Sequence, residues 1–565
     1  MKEVVIKLLE KELMGKLEKP EIERLIEIPP QQEMGDFAFP CFSLAKVEKK
    51  NPMLIASELA DKLRKNLSKE VSGVEVKGAY VNFFINKKIL AENVLGEAIK
   101  KDYGSSKEGK GKKIVIDYSC PNVGKPMHVG HIRSTIIGDA IYKICEMNGS
   151  KPISINYLGD IGLHIGKLVV AWELWLDKKA LKENPTKELL RLYVQFCKNE
   201  KSEIKEGAEE DEYANNEWTL KAKEKLKLIE DGDKNANQIW REIEKASIDG
   251  FNRIYKKLNV SFNETTGQSR FTDGGKKVIA DGIKKGVFKT DETGAAYAEF
   301  GDQKKYVLRS NGTAFYMTQD LGAAVSRFEK YKFDKMIYET DYRQNLHFEQ
   351  LFMILKRLGY DFADECYHIG HGTVNFGSEI MATREGKVVL LEEVIDKITQ
   401  KVEEENKRRG SKGDALAIAV AALKYAIIRV EASKDVEFSW EKALEFEGNT
   451  GPYLLYSYAR ASSIIRKVKK SKAKLEIFDL SKEEGALLTK IEGFPVVVKK
   501  AYEELAPNLV ANYAFELCQM FNEFYHAHQV LGSKEEGFRL KLIEAFRSVL
   551  KKSLNLLGIE ELDEM

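Results

Sequence analysis

Apolar positions change their spacing along the chain, and the changes divide it into regions. From the start to about residue 105, an amphipathic first helix leads into the loop Gln32-Glu33-Met34-Gly35-Asp36-Phe37. That region ends in a strand-like run, Ala79-Tyr-Val-Asn-Phe-Phe-Ile85. Lys101 to Lys112, rich in Gly, Ser and Lys, reads as a linker. From 113 to about 175 strand and helix spacing alternate. The β-branched run Ile114-Val115-Ile116 lies in a strand Ile114–Tyr118, and Ile136, Ile137, Ala140, Ile141 and Ile144 mark a helix from about 128. A strand Ile153–Tyr157 and a helix from about 163 follow, which predicts the first half of a doubly wound α/β sheet. Residues 176–300 are charged, mostly helical and then hairpin-like, as an insertion between two halves of such a sheet would be. The second half resumes at about 305 with a strand at Phe315–Thr318, the helix Leu321–Tyr331 with Asp320 at its start as the N-cap, the strand Asp334–Glu339 with Gln344 at the end of that segment, and the helix Asn345–Leu358. From Ala415 the pattern is amphipathic helix to the end, and no repeat or low-complexity segment interrupts it.

Composition narrows the class. At 565 residues about three to four domains are expected, each able to bury its own core. A formal net charge of +2 excludes a strongly basic nucleic-acid binder, though not one with local basic patches. The six cysteines (41, 120, 145, 197, 366 and 518) show no CxxC spacing and read as reduced thiols of a cytosolic protein. No run of about 18 apolar residues is present, so neither a membrane span nor a signal peptide is expected, and the predicted location is the cytoplasm.

The candidate chemistry sits at the junction of the first predicted strand and its helix, Pro121-Asn-Val-Gly-Lys-Pro-Met-His-Val-Gly-His-Ile-Arg133. His128 and His131, with Gly130 between them, stand where free N–H groups and the positive dipole end favour anions. Glycine there lets a flat base or a phosphate approach the backbone. Imidazoles at that point can donate hydrogen bonds to phosphate oxygens that gain charge in a transition state. One blander reading is a partial zinc site, but no third ligand of the right type lies near; another is two structural histidines, against which the placement at a strand–helix junction after Pro-Asn-x-Gly-Lys-Pro counts. A second His-Ile-Gly-His, at 368–371, runs into Gly372-Thr373-Val374 with no helix behind it and is read as a decoy.

The 121–137 stretch resembles the HIGH signature of class I aminoacyl-tRNA synthetases. Asp117-Tyr-Ser-Cys-Pro-Asn122 before it and Asn156-Tyr-Leu-Gly-Asp-Ile-Gly162 after it are similar to the arginyl-tRNA synthetase family. The resemblance extends along essentially the whole chain, including Gly448-Asn-Thr-Gly-Pro-Tyr-Leu-Leu-Tyr456 and the helical tail. It implies a Rossmann-type α/β catalytic domain in two halves, 113–175 and 305–372, around a connective insertion, 176–304. It also implies an N-terminal α+β additional domain, 1–105, that binds the tRNA D-loop. A stem region, 373–430, and an all-α anticodon-binding domain, 431–565, complete the implied fold. The implied activity joins L-arginine to tRNA(Arg) at the expense of ATP, with Mg2+ arriving with the ATP, no protein-bound metal, and a monomeric chain. In such an enzyme the amino-acid carboxylate is the nucleophile, so the absence of a Ser-His-Asp or Cys-His arrangement is expected, and rate comes from positioning and charge stabilisation.

Residue roles follow from the resemblance. His128 and His131 stabilise phosphate charge, and His131 also borders the arginine. Asp117, Ser119, Asn122, Tyr316, Asp320 and Gln344 match family positions for arginine, whose planar fork of donors is best met by carboxylates and carbonyls. Where the family commonly has Gly-Glu-Ser, this chain has Gly267-Gln268-Ser269. Either Gln268 contributes a carbonyl alone, or Glu264 serves. The second class I signature is degenerate, Ile380-Met-Ala-Thr-Arg-Glu-Gly386, with Met381, Thr383 and Arg384 matching ATP-binding positions and both signature lysines missing. Lys125 matches the lysine thought to supply that charge in this branch; with His128, Gly130 and His131 it completes the implied ATP site. For tRNA the matches are Tyr80 and Asn82 in the N-terminal strand, and Asn449, Tyr453, Tyr456 and Arg460 in the C-terminal region. The basic run Arg466–Lys474 reads as either a phosphate contact or a solvated helix face. Competing readings are a class I synthetase for another amino acid, a small-molecule adenylyltransferase sharing the HxGH site, and a non-catalytic tRNA-binding paralogue. The Tyr316/Asp320/Gln344 set, the helical tail and the intact histidines count against these in turn.

Overall fold

The computed structural model describes residues 1–202, 216–375, 390–468, 475–477 and 479–565. The chain forms two compact units. One comprises Met1–Tyr103, Arg460–Pro495 and Glu516–Lys551; the other comprises Gly104–Ala459, Val496–Phe515 and Lys552–Met565.

In the first unit β1 (Phe37–Pro40), β2 (Val71–Lys77) and β3 (Tyr80–Ile85) make an antiparallel sheet in the order β1-β3-β2. Helix Pro52–Lys65 starts at Asn51, whose side chain accepts the Met53 N–H at 2.9 Å, and it buries Ile55, Ala56, Leu59, Ala60 and Leu63. Gly35, at φ +107°, lets the preceding loop pass the sheet. A Cβ there would fall 2.9 Å from the Phe83 carbonyl oxygen. Asp36 then accepts the Ile85 N–H at 2.8 Å and pairs with Lys87, whose ammonium also reaches Thr489 Oγ1 at 3.1 Å.

The second unit is built on a five-stranded parallel sheet, in the order β11-β10-β4-β5-β6. Its strands are β4 (Lys113–Asp117), β5 (Lys151–Leu158), β6 (Glu264–Gly267), β10 (Lys335–Asp341) and β11 (Cys366–His371). Ile114, Val115 and Ile116 of the central β4 are buried, which the β-branched run foreshadowed. From β4 the chain moves first toward β6 and later returns on the other side as β10, so a topological switch point lies at β4, where ligands bind outside the carboxyl ends of strands. A separate antiparallel sheet of β7 (Lys289–Thr290), β8 (Ala296–Phe300) and β9 (Gln303–Leu308) accounts for the predicted hairpin character.

Three local expectations differ from the structure. The edge strand β6 falls inside the stretch read only as helices and hairpin; it is four residues long and polar, with no apolar run to announce it. Phe315–Thr318 is not a strand, because helix Tyr316–Tyr331 already begins at Tyr316. The Thr318 hydroxyl accepts the Phe315 N–H at 3.2 Å and fixes the helix start there, so Asp320 stands one turn inside the helix and is not its cap. Finally, β10 ends at Asp341, and Gln344 lies in the 3-10 turn Tyr342–Gln344 that leads into helix Asn345–Arg357.

Candidate active site

The carboxyl edge of β4 is shaped by unusual backbone. Ser119 and Cys120 both adopt positive φ, +75° and +48°, a conformation costly for residues with a Cβ. That turn brings Pro121–Val123 alongside the loop after β5, where Val123 N–H donates to the Gly159 carbonyl at 3.0 Å and Gly159 N–H to that of Pro121 at 3.1 Å. Gly159 leaves room for the Asn122 side chain, since a Cβ would sit 2.0 Å from Asn122 Oδ1.

Helix Gly130–Met147 begins next. Its first N–H groups are not free, contrary to the expectation: Gly130 N–H donates to His128 Nδ1 at 3.0 Å and His131 N–H to the His128 carbonyl at 2.9 Å. His128 N–H lies 3.2 Å from His131 Nδ1, and the ring centroids are 4.0 Å apart. The Gly130 contact leaves His128 with its proton on Nε2, while His131 Nδ1 stands between the N–H and the carbonyl of His128, the latter at 3.4 Å. Burial lowers the His128 pKa, helped by the Lys125 charge; burial and the neighbouring histidine lower that of His131 to about 3. Gly130 is part of this geometry, because a Cβ on it would fall 2.7 Å from the His128 ring. The Lys125 ammonium lies 5.0 Å from the centre of the Tyr193 ring, and burial lowers its pKa. His164, on the following helix Leu163–Trp175, faces the same charge; its Nε2 is 3.2 Å from the Gly159 carbonyl, and burial takes its pKa to about 4.

A second group lines the other side of the edge. Asp320 Oδ2 accepts from His347 Nε2 at 2.7 Å, and its charge is felt by Asp117, Tyr157 and Tyr338. Tyr316 is 56% exposed, and its hydroxyl lies close over Gly162. Asp160, on the loop after β5, accepts Ser269 N–H at 2.8 Å and Ser269 Oγ–H at 2.5 Å. This clamp holds Gln268, whose Oε1 is buried with no protein donor. Such an acceptor is costly unless a ligand or water supplies a hydrogen. Glu264 stands at the opposite end of β6, bound to Lys330 at 2.6 Å and to Tyr331, so Gln268 is the one at the site edge.

Several expected residues have protein partners instead. Asp117, 2% exposed, lies 2.7 Å from Arg327, whose guanidinium is flanked by the Tyr157 and Tyr338 rings at 4.7 and 5.7 Å. Burial raises the Asp117 carboxyl and the Arg327 charge opposes the rise. The Ser119 hydroxyl is 2.8 Å from both Thr135 Oγ1 and Tyr255 OH, in a buried network. Asn122 and Gln344 are exposed at the edge. In the first unit Tyr80 packs edge-on against Phe42, while Asn82, 3% exposed, does not present its amide to solvent. Tyr456 is exposed, Tyr453 packs near Phe515, the Arg460 guanidinium donates to Asn522 Oδ1 at 2.5 Å, and Asn449 accepts from Tyr425 OH. Met381, Thr383 and Arg384 lie outside the described residues, as does most of the basic run after Val468. The second His-Ile-Gly-His is strand β11: His368 stacks on Phe348, and His371 pairs with buried Glu339 at 2.9 Å. Sequence reasoning missed His347, Arg327 and His164. Of these only His347 had a local signal, being three residues after Gln344 at a helix start.

Neutral imidazole donors at a helix start and a carboxylate–amide pocket, both on the carboxyl edge of a parallel sheet, suit a phosphoanhydride and a cationic amino acid side by side. Comparison with known proteins agrees. Residues 92–440 match the family of class I tRNA synthetases (R), catalytic domain; residues 2–85 match the arginyl tRNA synthetase N terminal domain, and 454–565 the DALR anticodon binding domain. The chain is 40% identical over 566 residues to the arginine–tRNA ligase of Clostridium perfringens, covering 97% of each. Its fold is that of the Thermus thermophilus arginyl-tRNA synthetase (TM-score 0.80, 24% identity, 100% of this chain and 99% of that one). It is also that of the Plasmodium falciparum enzyme (TM-score 0.78, 21% identity, 100% and 98%). The chain belongs to the class I arginyl-tRNA synthetases and is an arginine–tRNA ligase that uses ATP.

Proposed function

We propose that the two groups on the sheet edge divide the reaction between them. His128, His131 and Lys125 attend the phosphates, with Met381, Thr383 and Arg384 joining them on the basis of sequence alone. Asp320 and Gln268 take the guanidinium, with Tyr316, Asn122 and Gln344 around the rest of the amino acid. A carboxylate oxygen of arginine attacks the α-phosphorus of ATP; the bond to the bridging oxygen breaks, and pyrophosphate leaves with its electron pair. A ribose hydroxyl of the tRNA end then attacks the adenylate carbonyl and AMP departs. The protein contributes no nucleophile. It supplies orientation and neutral N–H donors, which stabilise charge as it develops without requiring a change in their own protonation. The unpartnered Gln268 Oε1 beside the Asp160–Ser269 clamp carries the assignment of the guanidinium pocket. Asp117 and Ser119 then act behind it: Asp117 through Arg327, and Ser119 through the Thr135–Tyr255 network.

Mg2+ enters as part of the ATP substrate; among the described residues no group of three or more His, Cys, Asp and Glu side chains forms a metal site. No described helix is long and apolar enough to cross a membrane, and we place the enzyme in the cytoplasm as a monomer. We assign D-loop contacts to Tyr80 and its neighbour Phe42, and anticodon-side contacts to Asn449, Tyr453, Tyr456 and Arg460.

Like the arginyl branch it resembles, the enzyme is proposed to activate arginine only with tRNA bound. Pyrophosphate exchange with arginine and ATP alone is therefore expected to be negligible, and robust once tRNA(Arg) is added. Ornithine and citrulline should give no exchange under either condition, because each leaves part of the pocket unpaired. Equal exchange with and without tRNA would refute the dependence, and exchange with citrulline would refute the charged pocket.

A further inference from the structure

The turn that carries Lys125 is fixed along its backbone. Gly124, at φ +80°, lies so close to helix Leu163–Trp175 that a Cβ would fall 2.0 Å from Leu168 Cδ1, and its N–H donates to Ser247 Oγ at 2.8 Å. The Lys125 N–H donates to the Asn122 carbonyl at 3.2 Å, and Pro126 follows with its restricted φ. None of this holds the side chain, and a free lysine stem has much rotamer freedom to lose when its ammonium is put in one place.

Support comes from the insertion between the two halves of the sheet. Helix Pro185–Ser202 opens on a proline, with Asn184 Oδ1 accepting the Lys187 N–H at 3.1 Å, and its buried Leu189, Leu192 and Phe196 fix which way it faces. Tyr193, Phe196, Cys197 and Glu200 recur at helical spacing and share one face. Two lysines lie against that face and are held differently. Lys167 has the Glu200 carboxylate at 2.6 Å and the Phe196 ring at 5.6 Å. Lys125 has the Tyr193 ring at 5.0 Å, and among the described residues no carboxylate pairs with it. Burial raises the Cys197 thiol, so that group stays neutral and supplies no counter-charge. A carboxylate would neutralise the lysine, whereas a ring face attracts the cation through its quadrupole and leaves the charge available. On the ring the ammonium is already within electrostatic reach of the site: burial lowers the pKa of His128, His131 and His164, and the Lys125 charge lowers each further.

We infer that Tyr193, a residue of the insertion, is the positioning residue for Lys125: its ring holds the ammonium beside the histidine pair, charged and free of any carboxylate, until the phosphates draw it forward. The inference rests on the phosphate role given to Lys125 above and names the group that aims it. Tyr193 itself touches no substrate. A cation held by a ring face is restrained in place yet released without breaking an ion pair, which suits a charge that must follow phosphates as they move.

The test uses the full-length protein with saturating tRNA(Arg) transcript, with arginine-dependent pyrophosphate exchange as the rate and tRNA binding measured separately. Tyr193→Leu removes the ring and keeps an apolar side chain. It is expected to lower maximal exchange by roughly 2- to 30-fold, the range for a partly desolvated cation–π contact, with the arginine Michaelis constant and the tRNA dissociation constant little changed. Tyr193→Phe keeps the ring face and is expected to stay within about twofold of wild type. In the Lys125→Ala background Tyr193→Leu is expected to lose nothing further, because the ring then has no ammonium to hold. Three results overturn the inference: Tyr193→Leu at the wild-type rate or faster, Tyr193→Leu and Tyr193→Phe slowed alike, or an equal loss from Tyr193→Leu with Lys125 already removed, which marks packing alone. Should Tyr193→Leu fail to fold, as judged by circular dichroism, phenylalanine bearing successive ring fluorines at position 193 decides, since fluorine withdraws charge from the ring face at nearly constant shape. A stepwise fall in exchange along that series supports the ring's role, and a flat series overturns it. A Lys125→Ala enzyme with full activity removes the phosphate role and the inference together. A slow Lys125→Ala with an indifferent Tyr193→Leu removes only the inference.

Discussion

Asp320→Asn is expected to raise the Michaelis constant for arginine by roughly 30- to 700-fold, while that for ATP stays near its wild-type value. The figure corresponds to about 2–4 kcal/mol, the cost of removing one charge from a desolvated, hydrogen-bonded pair. Asp320 is suited to the role because one oxygen is already fixed by His347 at 2.7 Å, which leaves the other to a ligand in a set orientation. Its charge is the main one available, since the neighbouring Asp117 is committed to Arg327 and Gln268 offers only a carbonyl. The same substitution should narrow the preference for arginine over citrulline, whose neutral ureido group no longer meets a carboxylate. His347→Gln is expected to weaken arginine less than Asp320→Asn does, because it loosens the carboxylate without removing it. Initial-rate kinetics on folded variants check all three, and near-normal arginine affinity in Asp320→Asn would rule the assignment out.

Lys125→Ala is expected to slow arginine activation by roughly 10- to 1000-fold, the range for losing one charge-stabilising group, with little change in tRNA binding. Pyrophosphate departure builds charge on the β- and γ-phosphates, and a lysine on a flexible stem can follow them as they move. Lys125 is half-buried beside a tyrosine ring, and its charge already lowers the pKa of His128, His131 and His164, so it acts on the site they share. Removing it should therefore also raise the His128 pKa, which a proton NMR titration of the imidazole reads independently of rate. Lysine introduced at Thr383 in the Lys125→Ala background is expected to restore part of the activity. Full activity in Lys125→Ala would overturn the compensation and direct attention to Arg384 or Lys387.

Much of the sheet was legible because its central strands are buried on both faces. Ile114-Val115-Ile116 and the helical spacing from Ile136 to Ile144 mark β4 and its crossover without ambiguity. The edge strand β6 had no such signal, since a short polar Glu-Thr-Thr-Gly carries little apolar pattern. Phe315-Tyr-Met-Thr318 misled for the opposite reason: aromatic and β-branched residues favour strands, but a single threonine hydroxyl caps a helix there. The histidine pair was legible in position, not in state. That His128 Nδ1 accepts a backbone N–H follows from the fold-back at Gly130, which no spacing rule reports. The Asp117–Arg327 pair was invisible for a simpler reason. Its partners come from β4 and from a helix of the second half, and only the closed sheet brings them together.

The groups that meet the arginine and the phosphate decide how the reaction is divided along the sheet edge. A crystal structure of the protein with a non-hydrolysable arginyl-adenylate analogue tests that directly. The guanidinium should lie within hydrogen-bond distance of Asp320 and of Gln268 Oε1, with the phosphate-mimicking group facing Nε2 of His128 and His131. A guanidinium seated away from Asp320, or a phosphate group beyond the reach of both imidazoles, would contradict it.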